Sequence, residues 1–164
     1  MVREYQGSNG PTTYNASSAG GVCGYVPVAK KNWPDQNGQS TGISVMNTST
    51  DSADVWVTYY DANGNNTYTE FIDDLPGRAV AVLYNPSSLP DTFLGSAVVE
   101  GTRPVVLLVN ESGSGRYKAS NGFLEGGTTV YIPEVYSNDE GRYAGMGVQN
   151  VLQWQPAIGA EVIA

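Results

Sequence analysis

The chain has 164 residues, with 16 acidic against 8 basic side chains and no histidine, for a net charge of -8. Eight scattered Lys and Arg residues cannot build a phosphate-binding surface, so no nucleic-acid partner is expected. The absence of histidine removes the commonest general base and the usual catalytic triads, so an enzyme is not expected.

Cys23 is the single cysteine, which excludes an intrachain disulfide. Apolar runs such as Pro104 to Val109 fall far short of the roughly 20 residues of a membrane helix, so no membrane span is expected. Val occurs 19 times against 8 Leu, and Tyr at 11 outnumbers Phe and Trp together. That bias suits a pleated, half-buried surface and predicts an all-β protein.

In chain order, Met1 to Glu4 leads into polar residues without the apolar stretch of an export signal. Val2-Arg3-Glu4, Tyr14-Asn15-Ala16-Ser17, Gly20-Gly21 and Tyr25-Val26-Pro27 then recur, in the same order, as Val109-Asn110-Glu111, Tyr117-Lys118-Ala119-Ser120, Gly126-Gly127 and Tyr131-Ile132-Pro133. Thr41 to Asn47 recurs as Ala144 to Asn150, so the spacing is about 105 residues throughout.

The chain therefore reads as an array cut out of phase. Residues 1–21 are the last strand and linker of a preceding repeat, 22–111 a complete β-sandwich, 112–127 a linker, and 128–164 the first strands of a following repeat. Within the complete unit seven strands are expected: Tyr25 to Lys31, Thr41 to Asn47, Asp54 to Asp61, Asn66 to Asp73, Arg78 to Tyr84, Gly95 to Glu100 and Pro104 to Glu111. In the third, Val55, Val57 and Tyr59 alternate with Trp56, Thr58 and Tyr60, so one set faces the core. Asn63-Gly64 after Asp61-Ala62 marks a tight hairpin to the fourth.

The order Tyr25-Val26-Pro27, Ser40 to Asn47, Val57 to Gly64, Phe93 to Val99 and Val109-Asn110-Glu111 resembles the tandem immunoglobulin-like β-sandwich repeats of large secreted surface proteins in filamentous bacteria. The resemblance implies a seven-stranded immunoglobulin-like sandwich flanked by partial copies of the same repeat. It further implies an extracellular, non-enzymatic array module without cofactor or catalytic residue.

Two functional readings follow. In the first, the chain is a structural subunit of an extracellular filament, sheath or surface stalk that joins copies of itself head to tail by strand addition. The end segments then carry assembly through Val2, Tyr131, Ile132, Val148, Val151 and Trp154, whose apolar strands lack partners within one chain. In the second, the chain is a carbohydrate-binding or adhesive module with a polysaccharide partner. Trp33 and Asp35, in the loop after the first strand, are then the glycan contacts, as a rigid aromatic beside a carboxylate.

Four Asn-x-Ser/Thr sequons, at Asn15, Asn47, Asn65 and Asn110, are candidate glycosylation sites. Cys23 is expected as a small buried filler. Asp73-Asp74 reads as a solvated turn rather than an acid pair. Asp61 to Asn65 lacks the sixth-position Gly and closing Glu of a calcium loop, so no metal site is assigned.

Overall fold

The computed structural model describes residues 2–5, 11–14, 17, 19–34, 38–113, 116–129, 137–139, 142–143 and 146–151. Every regular element among them is a β-strand. Two short antiparallel hairpins form sheets of their own: β1 (Val2–Tyr5) with β2 (Pro11–Tyr14), which lies near the strand Arg116–Asn121, and β10 (Ser137–Asp139) with β11 (Arg142–Tyr143).

The remaining strands form one seven-stranded antiparallel sheet: β3 (Gly21–Lys31), β4 (Ser40–Asn47), β5 (Ala53–Asp61), β6 (Asn66–Leu75), β7 (Val80–Tyr84), β8 (Phe93–Gly113) and β9 (Arg116–Asn121). Hydrogen-bonded neighbours run β6-β5-β8-β4-β7, with β3 and β9 also paired to β8.

Two expectations change here. The sixth and seventh strands are a single strand, β8, and the stretch 112–127 carries β9 rather than a plain connection. β8 survives the Gly101-Thr102-Arg103-Pro104 break because its partners change there. Its first half lies between β5 and β3, and its second between β4 and β9. Pro104, which has no N–H to donate, falls at this changeover, and its carbonyl accepts from the Thr48 N–H at 2.9 Å. The Thr102 hydroxyl in turn accepts the Asp54 N–H at 3.0 Å.

The changeover lets the two halves of the sheet close over one core. On either side of the Gly101 to Pro104 break, odd-numbered residues of β8 point inward: Phe93, Ala97 and Val99 before it, Val105 and Leu107 after it. They meet Val55, Val57 and Tyr59 of β5, Ile43 and Val45 of β4, and Val26 and Ala29 of β3. Each fully buried Val or Ile there contributes about 1.5–3 kcal/mol.

The hairpin from β5 to β6 forms where Asn63-Gly64 predicts it. Gly64 adopts φ 81°, and the Asp61 carboxylate accepts the Asn63 and Asn65 N–H groups at 2.8 and 2.9 Å. These hydrogen bonds, chiefly from Asn65, hold the Asp61 carboxyl below its usual range. The turn satisfies its own aspartate.

Two buried polar side chains fasten the loops. Asn47 has no exposed surface. Its amide nitrogen donates to the carbonyls of Asp51 (2.7 Å), Leu75 (3.0 Å) and Pro76 (3.3 Å), and its oxygen accepts from the Ser49 N–H and hydroxyl. Lys31, 8 % exposed, donates from Nζ to the carbonyls of Pro86 (3.0 Å), Ser87 (3.4 Å) and Leu89 (2.6 Å). Both charges and carbonyls are thereby satisfied within the fold.

Candidate functional site

Among the described residues, those singled out from the sequence do not converge. Val2 lies in β1, paired in register with Tyr14. Val148 is exposed, while Val151 packs against Gly126. Residues 146–151 form no strand, unlike their counterpart Thr41 to Asn47 in β4. They lie against β3 where its pairing with β8 is interrupted between Val26 and Ala29: Gly147 meets Pro27 and Val28, and Gln149 donates to the Ala97 carbonyl at 3.2 Å. Tyr131, Ile132, Trp154, Asp35 and Asn15 lie outside the described residues.

Trp33 is held by two backbone hydrogen bonds of 2.9 Å exchanged with Gln39, which close a small loop at the end of β3, and it is half-buried. Asn65 is exposed in the β5–β6 turn, and Asn110 is half-buried on the outward side of β8, level with Gly42 and Ala119. Asn47 is overturned as a glycosylation site, because its amide nitrogen is buried and spent on three carbonyls. Cys23 is likewise not a core filler. It stands half-buried on the outer face of β3 with Tyr25, which burial and then the neighbouring Cys23 push above the usual phenol range.

What the fold does bring together are two apolar outer faces. On the first half of the sheet, Trp56 of β5 stacks on its cross-strand neighbour Phe71 of β6, with ring centres 5.1 Å apart. Asp54, Glu100 and Asp73 project from the same side of neighbouring strands, and Thr58 bonds Thr69 at 3.1 Å beside them.

The second face is built on β7. Val80, Val82 and Tyr84 alternate with the inward Ala81 and Leu83, and they are 53 %, 69 % and 56 % exposed. Their register neighbours on β4 are Met46, Ser44 and Gly42. The Tyr84 ring crosses over Gly42, where a Cβ would meet it, and its hydroxyl bonds that of Ser112 at 3.0 Å. Val106 and Leu108 of β8 continue the surface. Sequence reading placed a strand here without seeing that it is an edge. The available signal was that Ala79 to Tyr84 is apolar on both faces.

The two outermost strands of the sheet path differ in charge. On β6, Glu70 points toward the inner side, level with Val57, and burial raises its carboxyl above the usual range. Burial, and after it the charge of Glu70, pushes the Tyr59 phenol upward. β7 carries no charged residue at all. Among the described residues, no group of three His, Cys, Asp or Glu side chains is placed to hold a metal ion, and no helix is long and apolar enough to cross a membrane.

These features define an all-β protein built on one folded-over antiparallel sheet. No family model and no curated protein matches the chain. Among solved structures it is similar to the crystal structure of Thermotoga maritima 1070, with a TM-score of 0.53 and 17 % identity over 66 % of this chain and 98 % of that one. It also matches the Anabaena sensory rhodopsin transducer at a TM-score of 0.42 and 19 % identity, over 56 % of this chain and 97 % of that one. The first likeness concerns the fold alone.

Proposed function

We propose that the chain is a non-enzymatic structural building block of an extracellular filament, sheath or surface stalk, assembling with copies of itself by strand addition. The two halves of its sheet then correspond to the two layers of an immunoglobulin-like sandwich, continuous here through β8.

The observation that carries this reading is the recurrence of one supersecondary unit. Of the first set of blocks, Val2-Arg3-Glu4 lies in β1 and Tyr14 ends β2, its antiparallel partner, while the later copies Val109-Asn110-Glu111 and Tyr117 to Ser120 lie in the end of β8 and in β9, again an antiparallel hairpin. The registers differ, with Val2 opposite Tyr14 but its counterpart Val109 opposite Ser120. In the second copy β4 covers the free side of the hairpin's first strand. A module that repeats along a polymer needs such a partner at each junction.

Electron microscopy and sedimentation of the full chain test the reading. Filaments or a concentration-dependent series of oligomers are expected, and a chain ending near Gly127 should lose the series. A single species of fixed size at every concentration rejects it.

The stacked Trp56–Phe71 pair, flanked by carboxylates, favours a second reading as a carbohydrate-binding surface, displaced from the loop of Trp33 to the open sheet. Retention on polysaccharide that is lost in Trp56→Ala but kept in Trp33→Ala supports it. No retention on any glycan of an array rejects it.

A further inference from the structure

β7 pairs only with β4, and among the described residues no second strand lies beside it.

The phase of that pairing is fixed. Asn47 N–H donates to the Ala79 carbonyl at 3.0 Å, with Met46 opposite Val80, so the hydrogen-bonded positions on β7 are Ala79, Ala81 and Leu83. The N–H and C=O groups of Val80, Val82 and Tyr84 therefore point away from β4, into the open side. These same three residues carry the most exposed side chains of the strand.

An edge of this kind is a template for another strand, and two properties select the occupant. First, the outward groups at positions 80, 82 and 84 are symmetric about Val82, so the edge is complementary to itself in antiparallel orientation. A two-fold axis at Val82 pairs Val82 with Val82, and Val80 with Tyr84 in both directions, each pair exchanging both hydrogen bonds. Second, the chain is strongly acidic, with a net charge of -8, so two copies repel over most of their surfaces. From Leu75 to Pro90 there is no Asp or Glu, and Arg78 is the one charge. The neighbouring Met46, Val106 and Leu108 are uncharged as well. The edge is thus a neutral, apolar window through which like-charged copies can meet.

We infer that β7 is a homotypic docking strand: two copies of this chain join edge to edge, β7 against β7, about a two-fold axis at Val82, and make one continuous sheet. The inference deepens the self-assembly reading by naming its contact, and it adds an isologous junction to the head-to-tail one.

Val82→Pro tests the edge directly, in the full-length chain. The lost N–H is one that β4 does not use, so the fold should stand while the pairing fails. Sedimentation across concentration should show at least about tenfold weaker dimerisation, with far-UV circular dichroism unchanged. Val82→Lys, a side-chain change that leaves the backbone intact, should do the same and serves if the proline variant is unfolded. Phe71→Lys, on the other apolar face, should dimerise as the parent does.

In a Cys23→Ser background, Val82→Cys should oxidise to a covalent dimer, because paired Cα atoms lie about 5.5 Å apart, within disulfide reach. Face-to-face stacking would hold these atoms about 10 Å apart and yield no such bond. Dimers that persist in Val82→Pro and Val82→Lys, or that disperse in Phe71→Lys instead, overturn the inference, as does a parent chain without dimers or an uncrosslinked Val82→Cys. Filaments that survive both Val82 variants would leave the polymer reading standing and remove β7 from it. A discrete crosslinked dimer without larger species would do the reverse.

Discussion

The strands at the two ends of the sheet path, β6 and β7, are joined by one short turn and yet treat solvent in opposite ways. β6 is ringed with charge: Asp73 and Asp74 lie near its end, and Glu70 is turned toward the inner side, a device that makes an edge hostile to a further strand. β7 offers five uncharged residues, of which Val80, Val82 and Tyr84 face outward. The turn does not explain the contrast, since both strands leave the same Asn47-centred knot. The two ends of the sheet path thus differ in charged protection against a further strand, and the proposed β7 contact rests on that asymmetry.

Removing the knot has the largest expected effect on both strands. Asn47→Ala leaves the carbonyls of Asp51, Leu75 and Pro76 buried without their donor, and both edge strands lose their common anchor. A loss of about 3 kcal/mol is expected in chemical denaturation; an unchanged midpoint would show that the turns stand without it.

Lys31→Met acts on the β7 side alone. It removes the donor to Pro86, Ser87 and Leu89 in the loop after β7, at a cost of about 2 kcal/mol, and hydrogen exchange should rise across residues 85–92. Exchange that rises equally in β6 would contradict so local a role. Trp56→Ala, on the β6 side, removes a surface stack with Phe71, and about 1 kcal/mol should be lost; a destabilisation as large as that of Asn47→Ala would mean the ring is part of the core.

Glu70→Gln has the smallest expected effect and a defined sign. Burial raises the folded carboxyl above its ordinary value near 4.5, so the unfolded chain ionises first as pH rises. The stability that Glu70 contributes in acid is therefore lost as pH climbs from that ordinary value through the raised folded one. The glutamine variant should be more stable at neutral pH by less than about 0.5 kcal/mol, because the group is only partly buried and solvent screens its charge, and its stability should vary less across that window. Thermal melts at pH 4 and pH 7 measure the difference; equal slopes in parent and variant would remove Glu70 as a charged guard of the edge.

Much of the strand pattern was legible in the sequence. The alternation of Val55, Val57 and Tyr59 with Trp56, Thr58 and Tyr60 identified the core side of β5, and Asp61-Ala62-Asn63-Gly64 located its hairpin, because both signals depend on neighbours along the chain. Of the candidate site little was legible. Asn47 reads as a surface sequon in a polar turn, and only the return of Leu75 and Pro76 from 28 and 29 residues away buries it.

Local sequence thus determined that this protein is all-β, where most strands lie and which side of β5 is buried, since pleating has a period of two whatever the fold. Tertiary structure decided that Gly95 to Glu100 and Pro104 to Glu111 are one strand, that β9 joins the sheet, and that β7 is an edge. In each case the decision lies with residues far away in the sequence, and β7 shows why. A strand that is apolar on both faces is equally suited to the middle or the margin of a sheet, and only the distant strands that pair with it, or fail to, choose between them.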